Sequence, residues 1–255
     1  MTAEDTEPQD RRARALTERL THSERDRSHG PVTVRDAASL IIYDEKSAAV
    51  LMGRRSARHV FMPNRFVFPG GRVDPADSRV PVSLPYHPAT ARRLAAETSS
   101  RTGTSRLKAF GVAAFRETYE ETGVLVGRRA PGEAPKAAAF MPFAERGLAL
   151  DLSLLTFVAR AVTPPGRPRR YDTRFFVVPR VAIADIDEGA VGADAELEEI
   201  AWVPMKEAAA MPLPTITLTV LDELAARLNE QDGLFPNAPV PFYRWQRGGF
   251  TRTLL

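Results

Sequence analysis

The sequence predicts an α/β fold of the α+β kind, in which a mixed β-sheet lies between helices as an α/β/α sandwich. Short apolar runs with strand character alternate along the chain with segments of helical periodicity, and such mixtures pack as layers around a sheet. A chain of 255 residues with 44% hydrophobic content is long enough to bury one substantial core. We therefore expect a single domain over residues 31–255.

The N-terminal half begins with a polar segment and a hairpin. Residues 1–30 are rich in charged side chains and poor in apolar ones, which predicts a disordered, mobile arm. Two apolar runs at 37–43 and 48–53 flank a polar turn and predict a β-hairpin. A helix is predicted at 107–122, because its apolar side chains recur at steps of three and four.

An insertion at about 78–106 precedes this helix, and its residues 89–98 have a helical pattern. The remaining predicted elements are strands at 123–127, 152–162, 173–178 and 199–204, and helices at 137–147, 206–210 and 214–228. A C-terminal extension at about 230–255 is rich in aromatic side chains, so we expect it to pack against the body of the domain.

Composition limits the classes of function. The chain has no cysteine, which excludes disulfides, thiolate catalysis and zinc sites built on cysteine. A net charge of +3 and a pI near 9.4 suit ligands that carry phosphate. No nucleic-acid-reading motif and no apolar run long enough for a membrane span is present. The acids of the N-terminal arm argue against a transit peptide, so we expect a cytoplasmic protein.

The most informative segment is Arg116-Glu117-Thr118-Tyr119-Glu120-Glu121-Thr122-Gly123-Val124. On a helix, Glu117, Glu120 and Glu121 project from one face, and Gly123 stands where a left-handed cap ends the helix. An acidic cluster of this kind is commonly a solvated helix face. Three carboxylates so close together repel, however, and hard oxygen donors suit Mg²⁺ or Mn²⁺.

A second segment upstream completes the pattern. Phe68-Pro69-Gly70-Gly71 follows a strand-like stretch and leads to Asp77. Together the two segments resemble the Nudix hydrolase superfamily, whose box reads G-x5-E-x7-R-E-U-x-E-E-x-G-U, with U aliphatic. Gly71 matches the first glycine, Asp77 stands at the first glutamate, and Thr118 departs from an aliphatic position.

The match is interrupted. The box has seven residues between its first acid and the arginine, whereas residues 78 to 115 number 38, an excess of 31 (38 minus 7). An insertion that loops out leaves both flanks in place at little cost in closure entropy. The chain is similar here to the peroxisomal coenzyme A diphosphatase-like branch, whose box is interrupted at this place, and the stretch at 170–176 is similar too.

The resemblance implies a metal site and a reaction. Gly71, through its carbonyl, and Glu117, Glu120 and Glu121 are the expected ligands of Mg²⁺ or Mn²⁺, and Arg116 is the expected orienting residue. Water attacks a diphosphate linked to a moiety X, and a glutamate takes the proton. The base is either Glu117 or a glutamate at the end of the acidic loop that begins at residue 183. The catalytic residues predicted are Glu117, Arg116, Glu121 and Glu199, with Glu196 and Glu198 as further candidates for the base.

The substrate is less sharply predicted. The segment Arg54-Arg55-Ser56 partly resembles the stretch that accompanies the box in coenzyme A diphosphatases, with Leu51, Arg55 and Ser56 at matching positions. Arg54 and Arg55 are equally well interpreted as surface charge at a strand end. With Gly70 and Arg174 they form the expected substrate-binding set, although Arg174 is also a candidate for an ion pair that supports the sheet. We expect a small nucleotide-diphosphate substrate, no specific nucleic acid and no membrane as partner, while a homodimer stays open.

Three functions follow as hypotheses. The first is a diphosphatase acting on coenzyme A or acyl-coenzyme A. The second is a hydrolase of ADP-ribose, a dinucleotide or a nucleoside triphosphate. The third is a regulator that binds such a metabolite without turning it over, which has less use for a full set of metal-binding acids.

Overall fold

The computed structural model describes residues 3–58, 63–98, 103–190, 196–229 and 234–255. The helices are α1 (Ala3–Arg19), α2 (His22–Arg25), α3 (Pro88–Ala95), α4 (Thr104–Thr122), α5 (Met141–Glu145) and α6 (Thr215–Leu228). The strands are β1 (Val34–Asp44), β2 (Ala49–Arg55), β3 (Phe66–Val67), β4 (Gly70–Arg72), β5 (Val124–Val126), β6 (Arg128–Arg129), β7 (Leu148–Ala149), β8 (Thr156–Val162), β9 (Arg170–Pro179), β10 (Ile183–Ile186), β11 (Leu197–Pro204), β12 (Pro241–Gln246) and β13 (Gly249–Leu254).

The main sheet is mixed, as predicted. Its strand order is β11-β2-β1-β9-β8-β12-β13, with β3 paired to β2 and β4 paired to β1. The β1–β9 and β8–β12 pairs are parallel and the others are antiparallel. Two short pairs, β10–β5 and β6–β7, stand apart from this sheet.

Helices cover both faces of the sheet. Successive strand residues point to opposite faces, so Leu40 and Ile42 of β1 pack in the same core as Phe115 of α4. Ile41 on the other face packs in the same core as Leu224 of α6. The two cores confirm the α/β/α sandwich.

The N-terminal segment differs from the expected mobile arm. Residues 3–25 contain α1 and α2, and Leu16 and Leu20 are buried in contact with the body. Ala13 and Leu16 form a short apolar stripe on one side of α1, and Leu20 continues it just beyond the end of the helix. The average polarity of the segment hides this stripe, which explains the difference.

Helix α4 ends as predicted and begins three residues earlier than expected. Gly123 follows it with φ +72°, the left-handed conformation of a C-terminal cap. Thr118, which stands at an aliphatic position of the motif, is fully buried and donates a hydrogen bond to the Ala114 carbonyl oxygen at 2.7 Å. The hydroxyl is thereby satisfied within the helix, so the threonine is compatible with an apolar environment.

The insertion forms part of the core. Tyr86 stacks on Phe176 of β9 with ring centroids 5.9 Å apart, and Leu94 of α3 is buried in the core beside α4. The predicted helix at 89–98 is shorter in the structure and ends at Ala95. Residues 99–102 of the insertion lie outside the described ranges.

The C-terminal extension supplies two strands that the sequence pattern did not specify. β12 pairs in parallel with β8 and in antiparallel with β13, at one edge of the sheet. The predicted helix at 137–147 is divided between a 3₁₀ turn and α5, and the predicted strand at 152–162 begins only at Thr156. None of the helices in the described ranges is long and apolar enough to cross a membrane.

Candidate active site

Arg116 joins the two halves of the divided motif. Its Nε donates to Asp77 Oδ1 and its Nη2 to Asp77 Oδ2, both at 3.1 Å, which makes a bidentate pair across 39 positions of sequence. Nη2 also donates to the Arg72 carbonyl oxygen at 3.0 Å. Nη1 reaches the carboxylates of Glu117 at 2.8 Å and Glu120 at 3.0 Å. The insertion therefore leaves both halves in contact.

This ion-pair network is buried. Asp77 is 1% exposed, and its Oδ2 also accepts a hydrogen bond from the Asp74 amide at 2.8 Å. Burial alone would lower the pKa of Arg116, but the hydrogen bonds and charge of Asp77, with the charges of Glu117 and Glu120, raise that pKa above its ordinary value. The guanidinium thus stays charged and holds its fork geometry.

Two glycines form the opposite wall. β4 pairs with β1 so that Gly70 lies opposite Ser39 and Gly71 opposite Ala38. Gly70 has φ +152°, and a Cβ there would overlap the Ala38 carbonyl oxygen. A Cβ on Gly71 would overlap the carboxylate of Glu117. At Gly70 the obstacle is backbone, so only glycine fits there without strain, whereas at Gly71 the obstacle is the end of the Glu117 side chain.

Two motif acids lie beside this glycine loop, Glu121 buried and Glu117 half-buried. Glu121 is 5% exposed and its Oε2 accepts a hydrogen bond from the Gly70 amide at 2.8 Å. Burial raises the pKa of Glu121 well above its ordinary value, and the charges of Glu196 and Glu117 act in the same direction. Burial also raises the pKa of Glu117 to about 7, against the lowering effect of Arg116. A cation bound between these two carboxylates would favour their ionised forms.

The donor chemistry fits a hard divalent cation, although the three acids do not converge on one point. Glu117 and Glu121 are crowded, desolvated carboxylates next to the Gly71 backbone, and oxygen donors of this kind suit Mg²⁺ or Mn²⁺. Glu120 is turned towards Arg116 with its side chain 43% exposed. Over the described ranges, no three acidic or histidine side chains are gathered as a metal cluster.

A cleft of about 340 Å³ opens on this site, within the usual size of small-molecule pockets. It lies between the β1–β9 face of the sheet and the start of α6. Its polar lining comprises Ser39, Arg55, Gly70, Gly71, Arg72, Glu117, Thr163, Arg169, Tyr171, Thr173, Glu196 and Thr217.

The two adjacent arginines of β2 have separate environments, since neighbouring strand residues point to opposite faces. Arg55 lines the cleft and pairs with Glu196 at 2.6 Å between Nη1 and Oε1. Arg54 does not line the cleft, and its Nε donates to Glu199 Oε2 at 2.9 Å. Glu196 is therefore the loop acid at the cleft. The expected roles of Arg54 in binding and Glu199 in catalysis are not matched by their positions.

Arg174 is also directed away from the cleft. It is 3% exposed, pairs with Asp36 at 2.9 Å and Asp172 at 3.2 Å, and lies 4.0 Å from the centre of the Phe110 ring. Phe110 belongs to the core on the α4 side of the sheet. The substrate-binding role expected for Arg174 is thus not matched, whereas its role as an ion pair that supports the sheet agrees with these contacts.

Sequence reasoning missed the cleft residues Arg72, Arg169 and Tyr171. The signal for Tyr171 lay in the strand alternation of residues 170–176. The residues at 171, 173 and 175 line the cleft, whereas Arg174 faces α4. No comparable pattern marks Arg72, the last residue of β4, or Arg169, which lies just before β9.

Comparisons with known proteins agree with this geometry. No family model matches the chain. It is 28% identical over 185 residues to the Caenorhabditis elegans protein named "Putative nudix hydrolase 7", an alignment covering 68% of this chain and 52% of that protein. The chain thus spans about half the length of the curated relative it matches.

A solved structure gives the corresponding result for the fold. The crystal structure of a NUDIX hydrolase from Alicyclobacillus acidocaldarius is 28% identical, with a TM-score of 0.54 over 75% of this chain and 90% of that one. The chain has the fold of this neighbour, a mixed sheet between helices. The curated and structural neighbours together support the placement of the chain in the Nudix hydrolase superfamily.

Proposed function

We propose that this protein hydrolyses a nucleoside diphosphate linked to a moiety X, with a divalent cation as cofactor. The observation that carries the proposal is the bidentate contact of Arg116 with Asp77, which brings Glu117 and Glu121 against the Gly70–Gly71 backbone at the mouth of a cleft. Similarity to the nematode protein and the Alicyclobacillus hydrolase supports the same reaction class.

Each residue of the network has a distinct part in the proposal. Glu117, Glu121 and the Gly71 carbonyl would hold the cation, and the negative charge of the neighbouring Glu120 would add to its attraction. When bound, Mg²⁺ or Mn²⁺ neutralises phosphate oxygens and lowers the pKa of water. Arg116 positions Glu117 by its 2.8 Å hydrogen bond, while Asp77 fixes the orientation of Arg116.

Glu196 is our candidate for the general base. It lines the cleft, whereas Glu199 is paired with Arg54 outside it. Arg55 holds the Glu196 carboxylate at 2.6 Å and so fixes its position. Glu117 is the alternative base. The kinetics of Glu196→Gln and Glu117→Gln distinguish the two candidates. Loss of the base lowers kcat and removes the acidic limb of the pH–rate profile, while loss of a metal ligand also raises the concentration of Mg²⁺ needed for half-maximal rate.

Coenzyme A or acyl-coenzyme A is the substrate we propose within this class. The basis is the interrupted motif and the similar stretch at 170–176, together with the positive charges of Arg55, Arg72 and Arg169 along the cleft. Arginine suits the recognition of phosphate groups such as those of this substrate. Cleavage of its diphosphate gives 3′,5′-ADP and a 4′-phosphopantetheine product.

The test is a substrate panel with the purified full chain. Coenzyme A, acyl-coenzyme A, ADP-ribose, dinucleotides and nucleoside triphosphates are incubated with and without Mg²⁺ or Mn²⁺, and products are identified by chromatography. We expect metal-dependent cleavage, and a loss of at least about a hundredfold in kcat/KM for Glu121→Gln, the scale of removing one electrostatic contributor. Glu45→Gln, in the exposed turn between β1 and β2, is the matched control and keeps full activity.

Two outcomes would overturn the proposal. Absence of products from every substrate, with tight binding of one of them, would make the protein a metabolite-binding regulator. Equal turnover by the wild type, Glu120→Gln and Glu121→Gln would assign the acids of α4 to an ordinary helix surface.

A further inference from the structure

A second, apolar pocket adjoins the candidate active site. It has a volume of about 80 Å³ and shares Thr163, Thr173, Phe175 and Ile216 with the lining of the cleft. Its other apolar side chains come from α1, the loop after α1, β8, the loop after β8 and β13: Leu16, Leu20, Ala161, Val162, Pro164 and Phe250. We call this space the apolar pouch. The N-terminal segment therefore provides one wall of a cavity that continues the cleft.

A row of residues in register leads from the glycine loop to the apolar pouch, and the three after Arg72 have small side chains. Across the sheet, Arg72 of β4 lies opposite Ala37 of β1, Ala37 opposite Thr173 of β9, and Thr173 opposite Ala161 of β8. Residues in register on neighbouring strands point to the same face. The row spans three strand spacings, about 14 Å. An extended chain attached to a diphosphate can thus lie along it.

The two charged groups of the apolar pouch, Glu24 and Arg167, are already paired within the protein. Both carboxylate oxygens of Glu24 accept hydrogen bonds from Thr215, and Oε2 also accepts one from the Thr21 amide. Arg167 donates to the carbonyl oxygen of Ser23. A ligand that placed a polar group here would have to break these bonds, so the site favours hydrocarbon.

We propose that the apolar pouch binds an aliphatic group at the far end of the X moiety, so that the preferred substrates are diphosphate esters with an apolar arm. This inference rests on the proposed function only in placing a diphosphate in the cleft. An apolar cavity of ~150 Å³ accommodates benzene, so the apolar pouch has room for about three carbon atoms. Each buried methylene is worth about fourfold in affinity, the equivalent of ~0.8 kcal/mol.

Calorimetry with non-hydrolysable ligands tests the inference without requiring turnover. The probes are the ethyl and decyl β-esters of adenosine α,β-methylene diphosphate, titrated into the full chain in the presence of Mg²⁺. The decyl chain is long enough to span the row. We expect its Kd to be lower than that of the ethyl ester by at least about tenfold. Equal Kd values would overturn the inference.

Variants separate the apolar pouch from nonspecific hydrophobic binding. Ala161→Leu fills the apolar pouch and Ile216→Ser removes part of its wall from a half-buried position. Either change, in a protein whose circular dichroism is unchanged, should reduce the decyl preference to less than about threefold. The matched control Ala226→Leu on α6, outside this lining, should keep the preference. A preference that survives in the folded pouch variants would contradict the inference.

Hydrolysis of the ethyl ester of ADP is measured in parallel. If the ethyl ester is not hydrolysed but the decyl ester still binds more tightly, the proposed hydrolase activity is rejected and the role of the apolar pouch is retained. Turnover without a decyl preference would retain the hydrolase and reject the apolar pouch.

Discussion

The pair formed by Asp77 and Arg116 combines stability and function in one contact. Both side chains are buried, and the arginine distributes its remaining hydrogen bonds to Glu117, Glu120 and the Arg72 carbonyl. Since a buried charge that loses its partner is costly, the contact is more sensitive to removal of one member than an exposed pair.

Asp77→Asn should lower the free energy of unfolding by about 3 kcal/mol. This value is near the lower end of the range for breaking a buried ion pair, because Glu117 and Glu120 still pair with Arg116. Urea unfolding measures this change. Asp77→Glu, which restores the acid that the motif has at this position, should recover part of it. The exposed neighbour Asp74→Asn is the control, and an equal loss there would refute the special position of Asp77.

The two glycines of β4 should respond differently to alanine. At Gly70 the new Cβ would meet backbone and φ is +152°, so Gly70→Ala should lower the free energy of unfolding by about 1–3 kcal/mol. At Gly71 the obstacle is the end of the Glu117 side chain, which can move. Gly71→Ala should therefore leave the unfolding midpoint nearly unchanged and lower kcat/KM. Paired denaturation and hydrolysis assays distinguish the two, and a reversed order would contradict this assignment.

Among the elements, the N-terminal segment depends on one carboxylate. Glu24 of α2 caps its own helix through Thr21, and it also accepts hydrogen bonds from the Thr215 amide at 2.9 Å and the Thr215 hydroxyl at 2.7 Å. Burial would raise the pKa of Glu24, but the hydrogen bonds from Thr215 and Thr21 outweigh it, so the pKa lies below its ordinary value.

The depressed pKa sets the direction of a pH effect. The ionised carboxylate stabilises the fold fully above the unfolded pKa, and this contribution is lost as the pH falls through the folded pKa. Glu24→Gln should therefore cost about 1 kcal/mol at neutral pH, as for loss of a helix cap, and the difference from the wild type should shrink in acid. Urea unfolding of both proteins at neutral and at acidic pH measures this difference in the free energy of unfolding. Glu18→Gln, exposed on α1, is the control, and a pH-independent difference would contradict the mechanism.

Local patterns predicted some elements well. Helix α4 was predicted because its apolar periodicity and Gly123 are both encoded locally, and the β1–β2 hairpin because its polar turn separates two apolar runs. β12 and β13 were not predicted as strands, since their place depends on pairing with β8, far away in sequence. The buried stripe of α1 was obscured by the charged residues around it.

Prediction of the candidate site was limited for the same reason. The motif identified Arg116 and the acids of α4, because they follow one another on a single helix. The environments of Arg54, Arg174 and Glu199 depend on which face of a strand each side chain occupies, and that follows from the assembled sheet.

At the scale of the whole molecule, the segment that divides the motif belongs to the core opposite the cleft. Tyr86 accepts a hydrogen bond from the Gly111 amide at 2.7 Å and donates one to the Leu107 carbonyl oxygen at 3.2 Å, which ties the insertion to α4. None of the described residues of the insertion lines the cleft. The insertion thus supports the helix that bears the acids from the side away from the substrate.

Leu94→Ala tests this division of roles. Leu94 is 1% exposed in the core shared with α4, so its truncation should lower the free energy of unfolding by about 2–5 kcal/mol, the range for a buried leucine. Because the residue lies on the α4 side of the sheet, away from the cleft, kcat/KM of the folded enzyme should change by less than about twofold. This change corresponds to about 0.4 kcal/mol in the activation free energy. Urea unfolding and a hydrolysis assay below the unfolding transition measure the two effects. Arg92→Ala, exposed on the same helix, should change neither. A large loss of kcat/KM in folded Leu94→Ala would instead place the insertion in control of the acids on α4.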